Sequence, residues 1–439
     1  QKALLHFKKL GFQPVYLPKY YQLERETAQS LKSRQTFSSA ETTSVSVCAE
    51  LYQHLSPEQQ QVVGNLIQTP LAILTGGPGV GKTTVIKALY DIFEFQGKKT
   101  YLAAPTGRAA KRLEMATQVP TQTIHRLLKI QPQHRVSSQV LLGVDVVILD
   151  ECSMLDLELF HALLHGLAPR TRLYLVGDAE QLPSVGAGNV LADLIRSQHF
   201  PVYRLNQVFR QKKQSSITLN AHRILKQEPL FSDEGNKGEF YFIQQTDPQK
   251  IVALILEMLT QRIPQQFQIS PLDVQILSPM KKGKLGTIAL NHEIQQTLKK
   301  SEPLHQFCLG DKVMQIRNNY EKNVFNGDIG IIQELYPRGL QVRFADQRKI
   351  EYLPAEMREL QLAYAISIHK SQGSEFPCVL IPLHFEHYTM LQRNLLYTAV
   401  TRGKNLVILI GDPRALDRAL HNNERTERYS HLASFIQEP

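Results

Sequence analysis

The chain has 439 residues, 42% apolar and 21% charged, the make-up of a globular protein long enough for roughly three domains. No apolar run approaches the roughly 20 residues of a membrane helix, and the first thirty residues lack the compact apolar segment of a signal peptide, so no membrane association is expected and the cytoplasm is the expected compartment. Lys and Arg outnumber Asp and Glu by 50 to 40, a mild bias toward a polyanion such as nucleic acid that an ordinary solvated basic surface explains equally well.

The four cysteines, Cys48, Cys152, Cys308 and Cys378, are far apart and form no C-x-x-C pair, so neither a zinc site nor a disulfide framework is expected. The chain opens on Gln1, not methionine, and an N-terminal portion is expected to be missing. Residues 1–50 pattern as short amphipathic elements followed by a Ser/Thr-rich linker, "TFSSAETTSVSV".

From 51 to 245, short apolar runs alternate with helical patterns: "LAILT", "KTYLAA", "VDVVILD", "RLYLVGD" and "FYFI". That alternation predicts an α/β domain with a parallel sheet covered by helices. It opens with "LSPEQQQVV", where Ser56, Pro57 and Gln59 satisfy a capping box with proline in the first helical position. Gln59 is equally suited to reading an adenine edge, and the residues leave both readings open.

"GGPGVGKTT" follows a strand-like run and precedes a helix, matching G-x-x-x-x-G-K-[ST] from Gly76 to Thr83. Gly76, Gly77, Pro78, Gly79, Val80 and Gly81 present backbone N–H groups to phosphates, Lys82 reaches the β- and γ-phosphates, and Thr83, beside Thr84, ligates Mg²⁺. ATP and Mg²⁺ are therefore the expected cofactors. A P-loop also needs a carboxylate at a neighbouring strand end. "VVILDE" supplies Asp150 for the metal and Glu151 to orient or deprotonate water. "LVGDAEQLPSVGAG" puts Asp178 and Gln181 beyond a further strand, at the same sheet edge, with Gln181 able to bond the γ-phosphate or the attacking water. Residues 127–143 interrupt this domain as a possible hairpin.

The second alternating unit, 246–439, carries "DVQILSPM", "CVLIPL" and "LVILIGD" and is also expected to be α/β. Within it, about residues 300–362, short alternating runs between Gly, Asn and Asp predict antiparallel hairpins closing a small inserted β-barrel. Arg210 in "LNQVFRQ" and Arg402 in "LLYTAVTRGK" are candidates for stabilising charge on a transferring phosphoryl group. For either one alone, a surface salt bridge is the commoner fate.

The ordered set "LSPEQQ", "GGPGVGKTT", "LAAPTGRAAKRL", "TIHRLL", "VILDECSM", "LVGDAEQLPSVGAG", "LNQVFRQ", "AISIHKSQGSEFPCV" and "NLLYTAVTRGKNLVI" resembles the motifs of superfamily 1B helicases. Its closest resemblance is to the RecD-like DNA helicases of the stand-alone bacterial type, and it covers about residues 50–420.

The resemblance implies two RecA-like P-loop motor domains with ATP at their interface and single-stranded DNA across their top. It also implies a Src-homology-3-like domain for the inserted barrel and a strand-separating pin for 127–143. It assigns Gln59 to adenine, Lys82 and Thr83 to phosphate and Mg²⁺, Asp150 and Glu151 to metal and water, and Gln181, Arg210 and Arg402 to the γ-phosphate. Glu375 becomes a ribose or coupling residue, and Pro105, Thr106, His125, Ser367, His369, Ser371 and Gln372 contact DNA. The expected function is 5′–3′ translocation on single-stranded DNA with unwinding of 5′-tailed duplex by a monomer, in repair or recombination. A translocating or loading clamp without unwinding, and an RNA helicase, are the alternatives.

The polar loops "PTGRAAKR" and "SIHKSQGS" offer hydroxyls, amides and cations, groups that position phosphates but read few bases. With no tryptophan in the chain, indole stacking is excluded; Phe209 and Tyr397 are expected to pack. No acidic cluster of a nuclease type is evident, and the absence of the family's N-terminal domain leaves processivity and partner docking open.

Overall fold

A computed structural model describes residues 17–36, 51–130, 143–207, 215–235, 237–298, 306–422 and 428–438, with the backbone of an antiparallel pair, Leu5–His6 and Val15–Tyr16. The chain divides into two compact units, 1–213 with 426–439, and 214–425.

The first unit is built on six parallel strands. In chain order its elements are α1 (Pro18–Thr36), α2 (Pro57–Gln68), β1 (Leu71–Gly76), α3 (Lys82–Phe95), β2 (Thr100–Ala104), α4 (Gly107–Thr117), β3 (Thr121–Thr123), β4 (Val146–Leu149), α5 (Leu157–Gly166), β5 (Arg172–Gly177), α6 (Val190–Ser197) and β6 (Val202–Leu205). The spatial order is β3-β2-β4-β5-β1-β6. Alternate side chains leave opposite faces of each strand. Leu71, Ile73, Val147, Leu149, Leu173 and Leu175 join one core with α5 and α6, while Ala72, Leu74, Val146, Ile148, Tyr174 and Val176 join the other with α2 and α3. Burial on both faces is why the strands read as continuous apolar runs.

Register gives the site its place. Thr75 pairs with Gly177, Leu149 with Leu175, and Ala103 with Leu149, so β1, β2, β4 and β5 end level at one carboxyl edge. The P-loop, Pro105–Thr106, Asp150–Glu151 and Asp178 all leave the sheet there, where parallel α/β sheets bind ligands.

The separate N-terminal segment expected for 1–50 is not what its described helix forms. α1 lays Ala28 and Leu31 into the first core, which the C-terminal helix α12 (Leu432–Gln437) completes with Leu432 and Ile436. Arg34, buried in α1, donates to the carbonyl of Leu164 in the last turn of α5 and to those of Leu167, Ala168 and Thr171 in the segment that follows. The last carbonyls of a helix lack intrahelical partners, and a cation there also meets the negative end of the helix dipole.

The second unit contains α7 (Ser216–Lys226), β7 (Phe240–Gln244), α8 (Pro248–Glu257), β8 (Val274–Ser278), α9 (Thr287–Leu298), β14 (Ala365–Ser367), β15 (Phe376–Leu383), α10 (Arg393–Val400), β16 (Gly403–Gly411) and α11 (Pro413–His421). Its sheet is also parallel, in the order β14-β8-β15-β16-β7. This corrects the placing of "FYFI" in the first domain and the boundary at 245: β7 pairs residue for residue with β16, Val407 to Phe240 through Gly411 to Gln244. An apolar run announces a buried strand but not which sheet accepts it.

Between α9 and β14 lie β9 (Lys312–Gln315), β10 (Ile329–Tyr336), β11 (Gly339–Phe344), β12 (Lys349–Tyr352) and β13 (Leu360–Leu362). They form the expected antiparallel sheet, ordered β12-β11-β10-β9-β13. It has its own core of Phe307, Val313, Ile332, Val342, Phe344 and Tyr352. The interruption at 127–143 falls largely outside the described residues, as do Arg210, Phe209 and Cys48.

Candidate functional site

The phosphate loop begins where β1 ends. Gly79 and Gly81 have φ of 75° and 82°, a conformation that side chains with a Cβ adopt at a cost. A Cβ on Gly76 would stand 2.7 Å from the Leu205 carbonyl oxygen. Val80 is buried in the core below, so its backbone is what it offers the loop. Lys82 Nζ donates to the carbonyls of Gly76 and Gly77 at 2.7 and 2.8 Å, holding the ammonium over the cradle. Thr83 is half-buried in the first turn of α3 and Thr84 is exposed.

Gln59 makes the expected capping box and one further contact. Its Oε1 accepts from Ser56 N at 3.2 Å and its N–H donates to Ser56 Oγ at 3.3 Å, completing the capping box. Its Nε2 donates to Val80 O at 3.4 Å, tying α2 to the phosphate loop. The carboxamide is engaged at both ends in this arrangement.

At the end of β4, Asp150 Oδ1 accepts from Glu151 N at 2.8 Å. Burial, then the adjoining Glu151 carboxylate, hold the Asp150 carboxyl above the usual carboxylate range. Two crowded carboxylates beside a glycine-lined anion cradle fit Mg²⁺ with a nucleotide triphosphate, since the cation offers the charge they call for. Glu151 is in the left-handed region, φ 53°, unusual for a residue other than Gly, Asn or Asp. Its Oε1 lies 3.3 Å from Arg112 Nη1 of α4.

Asp178 is buried and accepts from Glu180 N and from Gln181 Nε2, at 3.1 and 3.2 Å. That fixes the Gln181 carboxamide with its Oε1 buried and without a hydrogen-bond partner. The following loop is clamped by Arg428, which donates to Ser184 O and Oγ and to the carbonyls of Gly186 and Gly188. Glu58 accepts from the backbone of Asn206 and Gln207, both at 3.0 Å, fixing the exit of β6. Sequence reasoning missed Glu58 and Arg428. An acidic residue in a first helical turn and an arginine in a charged tail carry no local signal for such distant partners.

Of the residues expected to meet DNA from this unit, Pro105 is buried, Thr106 caps α4 by accepting from Ala109 N at 3.3 Å, and His125 is exposed. In the second unit, Ser367 ends β14 at the carboxyl edge, followed by a half-buried His369. Ser371 is fully buried and donates to Ile368 O at 2.7 Å, and Gln372 is also buried. Ser371 thereby braces the turn.

Glu375 and Arg402 stand at the opposite, amino edge, where Phe376 pairs with Gly403. Glu375 lies 3.7 Å from Lys404 Nζ. Arg402 is buried and donates to Thr398 O, Ser374 O and Thr401 Oγ1. Tyr397 packs, as expected, fully inside.

Three family models match along the chain: an AAA domain over 54–231, the SH3 domain of ATP-dependent RecD-like DNA helicases over 290–344, and a UvrD-like helicase C-terminal domain over 362–410. The RecBCD enzyme subunit RecD of Mycolicibacterium smegmatis is 31% identical over 396 residues, spanning 81% of this chain and 70% of the relative. The chain belongs to the RecD-like DNA helicases. The ATP-dependent RecD2 DNA helicase of Deinococcus radiodurans is 36% identical over 411 residues, 91% of this chain but 56% of the relative, so this RecD-like chain spans little more than half of that protein's length. In fold it resembles the Bacteroides Pif1 helicase, solved with ADP-AlF3 and single-stranded DNA, with a TM-score of 0.53, 20% identity, and coverage of 83% and 94% of the two chains. Among the described residues no helix is long and apolar enough to cross a membrane.

Proposed function

We propose that this chain is an ATP-driven motor that moves 5′ to 3′ along single-stranded DNA and unwinds 5′-tailed duplex, acting as a cytoplasmic monomer in repair or recombination. The observation that carries the reading is the shared carboxyl edge of the first sheet, with P-loop, Asp150–Glu151 and Gln181 side by side in a RecD-like chain. Thr83 and Asp150 would hold Mg²⁺, and the bound metal–ATP complex supplies an electron-poor γ-phosphorus for water to attack. Glu151 takes a proton from that water. Gln181, fixed through Nε2 by Asp178, turns its unpartnered Oε1 toward orienting it. Lys82 neutralises charge on the phosphates, and Arg402 and Arg210 are proposed to do so as the γ-phosphoryl group transfers.

On DNA, Thr106, His125 and His369 offer hydroxyl and imidazole groups, and the buried Ser367 its backbone, that suit phosphates and sugars, so binding without sequence preference is expected. Strand displacement on 5′- and 3′-tailed duplexes with ATP tests the proposal. Displacement of the 5′-tailed duplex alone is expected; displacement from a 3′ tail refutes the polarity. Hydrolysis without displacement on either leaves a translocating clamp, and a preference for RNA competitor strands leaves an RNA motor.

A further inference from the structure

The helix that begins at the proposed DNA grip also reaches the proposed catalytic base. α4 starts at Gly107, directly after Thr106, and one and a half turns later carries Arg112, whose Nη1 lies 3.3 Å from Glu151 Oε1. The two side chains are 39% and 14% exposed, so the carboxylate is largely enclosed while the guanidinium remains accessible to solvent. Arg108, Lys111 and Arg112, spaced i, i+3 and i+4, share one side of the helix, and each is half-buried. A DNA phosphate meeting this side competes with Glu151 for the same guanidinium, a group suited to both carboxylate and phosphate.

We propose that Arg112 is a positioning residue that restrains Glu151 until DNA binds. With the strand absent, the guanidinium occupies the carboxylate oxygen that must face water. When a phosphate draws Arg112 away, Glu151 is free to turn to its proton-accepting position. The left-handed backbone at Glu151 (φ 53°) sets that side chain at a sharp turn between β4 and the 3₁₀ turn Cys152–Met154, so a change of partner redirects it without moving the strand. The inference rests on the helicase reading and adds the physical link by which DNA would stimulate hydrolysis.

Linkage gives the test two independent arms. If DNA binding breaks the Arg112–Glu151 pair, removing the pair must favour DNA equally. Nucleotide-free affinity for a fluorescent oligo-dT strand is expected to rise about three- to tenfold in Glu151→Gln, and this rise is expected to vanish when Glu151→Gln is combined with Arg112→Ala. In steady-state ATPase, Arg112→Ala is expected to raise DNA-free kcat about tenfold. Its DNA-saturated kcat and KM for ATP should stay within about twofold of the parent. Arg112→Lys, which keeps charge but not the planar fork, is expected to fall between.

Unchanged DNA affinity in Glu151→Gln, or an unchanged stimulation ratio in Arg112→Ala, overturns the proposal. A merely structural Arg112 lowers both kcat values together. The helicase reading fails separately, if the parent protein's ATPase does not respond to DNA at all. Should Arg112→Ala fail to fold, the affinity of Glu151→Gln against its parent still decides the matter.

Discussion

The two parallel sheets handle their polar residues differently. The first concentrates them: the P-loop, Asp150 and Glu151, Asp178 and the α4 N-terminus all leave one carboxyl edge. The second divides them, with Ser367 and His369 at the carboxyl edge and Glu375 and Arg402 at the amino edge, joined by a short turn whose Ser371 and Gln372 are buried. A phosphate site needs many groups converging on one anion. If, as proposed, the second unit's carboxyl edge meets DNA and its amino edge senses phosphate, the two roles can be altered independently, and mutations should separate in the second unit where they cannot in the first.

The largest effect expected is on the concentrated side. Lys82→Ala should lower ATP turnover by about a thousandfold or more, with DNA-stimulated phosphate release as the measurement; a loss under tenfold would break the assignment of that edge to hydrolysis. On the divided side, Arg402→Ala should lower DNA-stimulated kcat by about a thousandfold while single-strand affinity without nucleotide stays within about twofold of the parent. Equal losses in turnover and affinity would mean that the two edges of the second sheet are not separable. Arg34→Ala removes the donor from four carbonyls and should cost about 3 kcal/mol in urea-induced unfolding; a cost below about 1 kcal/mol would show that α1 is not integral to the first unit.

In the second unit, His387 is fully buried, and burial, followed by the neighbouring His384, brings its pKa down to about 4. The folded form therefore binds this proton less readily than the unfolded chain, whose histidine titrates near 6.5. Stability attributable to His387 is complete above pH of about 6.5 and falls as pH drops toward 4, by a total of about 3 kcal/mol. His387→Gln should flatten that limb in pH-dependent melting, and an unchanged slope would refute the buried neutral imidazole. The smallest effect is local: Ser56→Ala should cost about 1 kcal/mol and loosen the hold of Gln59 on Val80, read as a modest rise in KM for ATP.

The concentrated edge was legible in the sequence because its chemistry is written in short motifs. Eight residues define the P-loop, and "VVILDE" brings its carboxylates with their own strand. Alternation and turn residues likewise gave the inserted antiparallel sheet. What escaped is what depends on distant pairing. Phe240–Gln244 looks the same in either sheet, and only hydrogen bonding to β16 decides. Arg428 and Glu58 meet partners far along the chain, and Arg112 was readable as a phosphate contact but not as the partner of Glu151. Ser371, polar within a polar motif, is buried because its hydroxyl finds a carbonyl three residues back, a choice that composition does not reveal.

The return of residues 428–438 to the first unit bears on the order in which this protein is made. Leu432 and Ile436 complete a core begun by Ala28 and Leu31, and Arg428 locks the loop at Ser184–Gly188, yet all of residues 214–425 emerge from the ribosome in between. The first unit therefore waits, incompletely sealed, while the second is synthesised, although domains ordinarily mature in the order they are translated. Premature termination within the second unit would release a first unit with an open apolar face, a ready substrate for chaperones and proteases.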